Sequence, residues 1–144
     1  MKDFKYCIWL CPDSNHPWNF FTNRFIPHLS IKTNLDYHTA IQLYTKINNP
    51  TLEVELDKLM CDEEEDFHSM FFTVKEPSDK PDWYPKNPHI SFLYKYNQQI
   101  NPYEVHHLYS YMKYKKGLLK NLCMVKCSGH YTKWKVLFTK PISN

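Results

Sequence analysis

The sequence predicts an α+β protein made of two similar halves. The pattern Pro-His-apolar-Ser-apolar occurs twice, at residues 27–31 and 88–92. Each copy lies on a predicted strand that is followed by one predicted helix and two more predicted strands. A repeat of this kind predicts two pseudo-symmetric lobes of antiparallel sheet, with outer helices and a central cleft between the lobes. The 144 residues have the length of one domain, and we expect residues 1–144 to form it.

The first half opens with an apolar and aromatic strand over residues 5–11, which Pro12 ends. A polar and aromatic loop follows. Pro27 then precedes the first motif strand, where its missing backbone N–H is tolerated. Asn34 or Asp36 can cap the next helix. We expect the first motif strand at residues 28–33 and the helix at residues 37–47. An alternating strand at 52–60, a solvated acidic turn at 62–66 and a returning strand at 67–75 are expected to follow.

The second half opens with a proline-rich loop over residues 76–87, which leads into the second motif strand. A helix is expected to begin at Asn101 as the N-cap, with Pro102 at the first helical position and Glu104 completing a capping box. Gly117 is placed to end that helix. We expect the second motif strand at residues 89–96. Two final strands are expected at 121–128 and 133–140, with a turn at Gly129 between them.

The composition excludes several classes of protein. Two glycines cannot supply a glycine-rich phosphate-binding loop. The five cysteines form no CxxC pair, so we expect no zinc site. Their odd number and the absence of a secretory signal peptide favour a reducing compartment, which we expect to be the cytoplasm. No apolar run approaches the roughly 18 residues of a membrane span, so we expect no membrane partner. We also expect a monomer.

Charge is unevenly distributed along the chain. The net charge is +3, but five acidic residues are consecutive at 62–66. Outside this run the chain carries 18 basic and 10 acidic residues, a balance that favours anionic ligands. The high content of Asn, Lys, Ile and Tyr is typical of an A·T-rich genome and is consistent with a viral protein acting in the host cytoplasm.

The repeated motif places reactive side chains on one face of a strand. Because side chains alternate along a strand, His28 and Ser30 share a face while the apolar residues point to the core. His89 and Ser91 are related in the same way. Two histidines can hold opposite protonation states near neutral pH, as an acid–base pair requires. Two hydroxyls can stabilise charge on a phosphate.

A third His-x-Thr sequence, at residues 130–132, differs from the other two copies. It lacks the preceding proline and lies at a predicted turn, so we interpret it as a chance match. The remaining histidines are interpreted as surface or packing residues: His16, His38, His68, His106 and His107.

The chain resembles the 2H (two-histidine) phosphoesterase superfamily, whose signature is two His-x-Ser/Thr motifs on strands of two similar lobes. It is most similar to the plant-type cyclic phosphodiesterase branch. The likeness rests on the two motifs, on residues 6–12 and on the late strand around Trp134. It implies the bilobal 2H phosphoesterase, or LigT-like, fold. It also implies hydrolysis of a phosphodiester without a metal or another cofactor.

The resemblance further implies that His28 and His89 are the catalytic base and acid. We assign His28 as the base and His89 as the acid, although the near-symmetry of the two motifs allows the reverse. Ser30 and Ser91 are expected to bind the phosphate. The expected partner is a nucleotide or a short RNA-derived substrate that carries a cyclic phosphate. The expected reaction opens a 2′,3′-cyclic phosphate, or a related ribose cyclic phosphate, to a phosphomonoester.

Three side chains are candidates for further substrate contacts. Trp83 and Tyr84 could stack on a nucleobase or pack against the body of the protein. Lys32 is expected on the same face as Ser30, where it could meet the phosphate, whereas Trp9 is expected to be a packing residue.

Two alternative functions remain open. One is a phosphodiesterase that degrades an immune signal, either a 2′–5′ oligonucleotide or a cyclic dinucleotide. The other is a non-catalytic RNA-binding module, which the presence of both histidines and both hydroxyls disfavours.

Overall fold

The computed structural model describes residues 4–22, 25–47, 51–63, 67–77 and 80–141. These residues form seven strands, two α-helices and two short 3-10 helices at Pro17–Phe20 and Tyr131–Lys133. The helices are α1 (Tyr37–Lys46) and α2 (Pro102–Tyr111). The strands are β1 (Tyr6–Pro12), β2 (Leu29–Leu35), β3 (Leu52–Glu63), β4 (Phe67–Val74), β5 (His89–Tyr96), β6 (Lys116–Lys126) and β7 (Lys135–Pro141). Each motif strand, β2 or β5, is followed by one helix and two strands, as predicted.

The strands belong to one antiparallel sheet in the order β1-β2-β5-β4-β3-β6-β7. β1 pairs with both β2 and β6, so the sheet closes on itself. The start of β6 pairs with β3, and its later part pairs with β1 on one edge and β7 on the other. Two lobes result, β2-β1-β6-β7 and β5-β4-β3, which are joined along β6 and where β2 meets β5. The predicted α+β fold with two antiparallel lobes is confirmed.

Each lobe has a helix on its outer face. α1 packs on β1 and β6 and buries Ala40. α2 lies over β4 and β5. Its buried Leu108 lines one cavity together with Met70 of β4 and Phe92 of β5. The main apolar core lies between the sheet and the two helices.

A second apolar cluster lies on the opposite face of the sheet, which we call the inner face. Alternate residues of β1 divide between the two sides. Ile8 and Leu10 belong to the main core, whereas Trp9 and its neighbours belong to the second cluster. The buried members of the second cluster are Cys7, Trp9, Cys11, Cys123 and Val125.

Of the two candidate caps for α1, Asn34 and Asp36, the structure uses Asp36, and α2 begins at the predicted cap Asn101. The Thr39 backbone N–H donates to the Asp36 carboxylate over 2.8 Å at the start of α1. At the start of α2, Asn101 and Glu104 form the reciprocal capping box, with Pro102 in the first turn. These contacts satisfy backbone N–H groups that have no partner inside the helix.

The end of α2 differs from the prediction. The helix stops at Tyr111, and β6 already begins at Lys116, so Gly117 lies in a strand. The reason for glycine there is close packing. A Cβ atom on Gly117 would lie 2.5 Å from the indole ring of Trp18. Trp18 is fully buried and donates from Nε1 to the Tyr114 carbonyl over 2.6 Å, which fastens the loop after β1 to the α2–β6 connection.

Strand β3 is longer than expected, because its pairing with β4 continues through Glu63 and so includes the first residues of the acidic run. The rest of the turn predicted at residues 62–66, residues 64–66, lies outside the described residues. Neither α-helix in the described part of the chain is long and apolar enough to cross a membrane.

Candidate active site

The two motif strands meet at the centre of the molecule. Leu29 of β2 pairs with Ile90 of β5 in antiparallel register. Directly opposite residues have Cβ atoms about 5 Å apart, and diagonal neighbours are roughly 7–8 Å apart. Two imidazoles on a diagonal are therefore close enough to flank one phosphate group. The register sets two pairs side by side on the inner face, His28 with Ser91 and His89 with Ser30.

A β-bulge follows the serine in each motif strand. The register of β2 against β1 skips Ile31, and the register of β5 against β4 skips Phe92. Each skipped residue is the last apolar position of its motif, so the two bulges are related by the pseudo-twofold symmetry of the lobes. A bulge reverses the faces on which the following residues lie. The symmetry of the motif thus extends to the backbone.

The two histidines are oriented in the same way. Nδ1 of His28 lies 2.6 Å from the carbonyl oxygen of Ile26, and Nδ1 of His89 lies 2.9 Å from that of Asn87. Because a carbonyl only accepts, Nδ1 carries the proton in both rings, and Nε2 is left to act on a ligand. In each case the carbonyl belongs to the residue before the motif proline, which disfavours helical backbone at that residue.

The surroundings of the two histidines differ. His28 is buried, and its ring is stacked on Trp9 with centroids 3.6 Å apart and planes 7° apart. Burial lowers the pKa of His28 from 6.5 to about 4, the Ile26 carbonyl acts to raise it, and the charge of His89 lowers it further. His89 is exposed and has the ring of Phe71 4.9 Å away. His28 is therefore neutral at physiological pH, with a free lone pair on Nε2.

The two serines also differ in burial. Ser91 is buried, whereas Ser30 is half-buried. The bulge at Phe92 brings Tyr94 onto the inner face next to Ser91. Burial raises the pKa of Tyr94 to about 12, and a hydrogen bond with the Ser91 side chain acts in the opposite direction. Tyr94 stays protonated and helps to orient the Ser91 hydroxyl.

The structure does not bring Lys32 and Trp83 to the paired histidines. Lys32 pairs with Ile8, a main-core residue, so the expectation that Lys32 shares the face of Ser30 is wrong. The bulge at Ile31 is the physical reason. Lys32 and Trp83 instead line a groove of about 580 Å³ beside α1, together with Ile47.

Tyr84 lies in a different groove, which it shares with Val74 and Pro88. Its hydroxyl is buried without a hydrogen-bond partner among the described atoms. Tyr84 and Trp83 both pack against the main core. A role for either residue in contacting substrate stays a prediction.

His130 differs from the paired histidines in its hydrogen bonds. Its Nδ1 accepts from the Thr132 backbone N–H over 3.3 Å and lies 2.8 Å from the Thr132 hydroxyl. The ring contacts Tyr96, at the end of β5 opposite to His89. Tyr96 lies seven positions after His89 along the strand, which corresponds to roughly 20 Å. His130 is therefore not part of the paired site.

Free cysteines pack with Trp9 in the second apolar cluster. Sγ of Cys11 lies 3.8 Å from Sγ of Cys123, and Cys7 and Cys127 form a second side-chain pair that lowers the pKa of Cys7. These thiols act as small packing groups in the second cluster. Among the residues that the structure describes, no group of three or more His, Cys, Asp or Glu side chains could hold a metal ion.

Sequence reasoning missed Tyr94 and Phe71 as neighbours of the site and underestimated Trp9. For Tyr94, simple alternation from His89 predicts the wrong face, because the bulge is not visible in the sequence. For Trp9, the aromatic strand next to a motif was a signal, but its stacking on His28 depends on the pairing of β1 with β2.

Neither a family model nor a curated protein matches the chain. Solved structures do match. E. coli LigT complexed with ATP has a TM-score of 0.57 at 10% sequence identity, with 100% of both chains covered. E. coli LigT complexed with 3′-AMP has a TM-score of 0.54 at 9% identity, with 97% of this chain and 98% of that chain covered. A structure described as a phosphoesterase has a TM-score of 0.53 at 9% identity, with the same coverage.

At these identities the likeness shows the fold. The chain has the LigT-like fold that its resemblance to the 2H phosphoesterases implied, and that prediction is confirmed. The narrower similarity to the plant-type branch stays a prediction.

Proposed function

We propose that the protein is a phosphodiesterase that opens nucleoside 2′,3′-cyclic phosphates, or a related ribose cyclic phosphate, to a phosphomonoester. The register that pairs Leu29 with Ile90 carries the proposal, because it gathers two imidazoles and two hydroxyls on one face. The shared fold with a phosphoesterase and with LigT, which has been solved with 3′-AMP, supports it.

The reaction needs one base and one acid. Nε2 of His28 takes a proton from a water molecule, and the water oxygen forms a bond to phosphorus. The bond from phosphorus to one ribose oxygen breaks, and Nε2–H of His89 gives that oxygen its proton. Ser30 and Ser91 donate to the non-bridging oxygens as negative charge accumulates on them. Proton exchange with solvent then returns both imidazoles to their starting states.

The unequal burial of the histidines supports the assignment of roles. A buried imidazole with a pKa of about 4 is present as the neutral form, which a general base requires. His89 is exposed, so solvent can replace the proton that a general acid gives to the leaving oxygen. In this mechanism the two histidines supply both proton transfers, so hydrolysis is expected to need no metal ion.

The primary test replaces each histidine in turn. His28→Ala and His89→Ala should lower kcat on adenosine 2′,3′-cyclic phosphate by roughly 10²–10⁴-fold, the usual contribution of one acid or base. His106→Ala removes an exposed imidazole on α2 and is the matched control, with wild-type activity expected. Circular dichroism would verify that all three variants fold. Full activity in either site variant, or loss of wild-type activity in EDTA, would contradict the mechanism.

The same assay distinguishes the alternative substrates. Cyclic mononucleotides, 2′–5′ oligoadenylate and cyclic dinucleotides are supplied separately, and the products are separated by chromatography. The proposal requires that the 2′,3′-cyclic phosphate is opened with the highest kcat/KM of the set.

A further inference from the structure

A continuous series of aromatic rings begins at the catalytic pair and runs along the inner face. We call it the aromatic track and define it by Trp9, Trp134, Tyr94, Phe67, Tyr96 and His130. Starting from His28, successive ring centroids along it lie 3.6, 5.8, 5.4, 5.4, 5.0 and 4.4 Å apart.

The track offers accessible rings over a buried floor. Trp9 and Tyr94 are buried, whereas Phe67, Tyr96 and Trp134 are half-buried. His130, at the far end, is exposed. A surface of this kind can receive unpaired bases, because every base presents a π face to an aromatic side chain.

Hydrogen bonds hold the far end of the track in place. The Tyr131 backbone N–H donates to the Tyr96 hydroxyl over 3.2 Å, and Trp134 Nε1 donates to the Gly129 carbonyl over 3.3 Å. His130 is held by Thr132 through Nδ1. Because these rings are already fixed, binding a ligand on them requires little ordering of the protein.

One lysine lies beside the track. Lys133 is exposed, directly precedes Trp134 in the chain and forms no ion pair with another described residue. Lys126 and Lys135 pair with each other on β6 and β7, but Lys126 also pairs with Tyr6, which packs on the main core, so both lie on the opposite face of the sheet. A lysine beside stacking rings favours a ligand that carries phosphate groups.

We propose that the cleft receives the 3′ end of a single-stranded RNA, whose bases upstream of the terminal cyclic phosphate stack along the aromatic track. This inference rests on the proposed function, because the reacting phosphate lies between His28 and His89. The distance from the pair to His130, roughly 20 Å, accommodates at most about six stacked nucleotides. An oligonucleotide, and not a mononucleotide, is therefore the preferred substrate.

The test measures how kcat/KM depends on substrate length. Adenosine 2′,3′-cyclic phosphate is compared with oligoadenylates of three and six nucleotides that end in the same group. Wild-type protein should hydrolyse the six-nucleotide substrate with a higher kcat/KM, mainly through a lower KM. In His130→Ala and Trp134→Ala the advantage of the longer substrate should fall roughly ten- to a hundredfold, as expected for a lost base stack. Tyr103→Ala, which removes an exposed ring from α2, should keep the wild-type ratio.

A binding experiment makes the outcome independent of catalysis. Fluorescence anisotropy follows a labelled six-nucleotide oligoadenylate ending in a 3′-phosphate, at two salt concentrations. Binding should be weakened by salt and by Trp134→Ala, and a duplex of the same length should bind less tightly because its bases are paired.

The outcomes separate the two proposals. If no cyclic phosphate of any length is opened but the oligonucleotide binds as described, the proposed function fails and the track stands. If mono- and oligonucleotides are opened with the same kcat/KM, or if the duplex binds as tightly as the single strand, the track is overturned while the phosphodiesterase activity stands.

Discussion

The indole of Trp9 and the imidazole of His28 are stacked, with ring centroids 3.6 Å apart and planes 7° apart. Two effects of this contact oppose each other. An aromatic face attracts a cation by about 0.5–2 kcal/mol, which would favour the protonated imidazole. Burial disfavours the charged form, and it dominates, since the pKa of His28 falls to about 4. Burial of the stacked ring therefore keeps the imidazole neutral.

The pH dependence of kcat/KM should report this burial. The acid limb of the wild-type profile should have its midpoint near pH 4, because protonation of His28 removes the base. Trp9→Leu should move the midpoint upward toward 6.5 by admitting water to the imidazole. Phe71→Leu, which changes the ring beside His89, should leave the acid limb where it is. A wild-type midpoint near 6.5 would contradict the role of His28 as a buried base.

Stability should also depend on His28. Since the folded-state pKa lies below the unfolded value, the unfolded chain binds the proton first. The free energy of unfolding should therefore fall as pH falls from 6.5 toward 4. The shift corresponds to about 3 kcal/mol from this group. Urea unfolding of wild type and His28→Gln at pH 7.5, 5.5 and 4 measures it, because the variant lacks this titration. An unchanged difference between the two proteins across that range would exclude the burial effect.

The serine hydroxyls should matter for the rate of hydrolysis. Ser30→Ala and Ser91→Ala are each expected to lower kcat roughly 10²–10³-fold, the usual effect of removing one donor to a developing negative charge. Ser30→Thr and Ser91→Thr retain a hydroxyl and serve as matched controls that should recover much of the activity. Steady-state kinetics on adenosine 2′,3′-cyclic phosphate provides the comparison. An alanine variant that changes KM and leaves kcat intact would show that its hydroxyl binds the ground state only.

Gly117 should be intolerant of a side chain. A Cβ atom there would lie 2.5 Å from the buried Trp18 ring, so Gly117→Ala should lower the free energy of unfolding by about 1–3 kcal/mol. The same change in a Trp18→Phe background should cost less, because the smaller ring leaves space. Chemical denaturation of the four proteins in this double-mutant cycle gives the coupling. Equal costs in both backgrounds would place the constraint elsewhere.

Local signals in the sequence were sufficient for much of the architecture. The helix starts at Asp36 and Asn101 depend on side chains within three residues of the cap. Asn101 is predicted outright, and Asp36 is one of two predicted candidates. Element order followed from periodicity and from the two motif copies. The prediction for Gly117 was wrong because the relevant neighbour, Trp18, is about a hundred residues away in the chain.

The sequence by itself determined the composition of the candidate site: two histidines, two serines and their equivalent positions in two halves. Only the tertiary structure decided the differences between the halves. The bulges at Ile31 and Phe92 arise from pairing with β1 and β4, and they turn Lys32 away from the inner face and Tyr94 toward it. Burial of His28 requires Trp9 from another strand. The physical reason is that strand register and burial are properties of contacts between distant segments, whereas alternation and capping are properties of neighbouring residues.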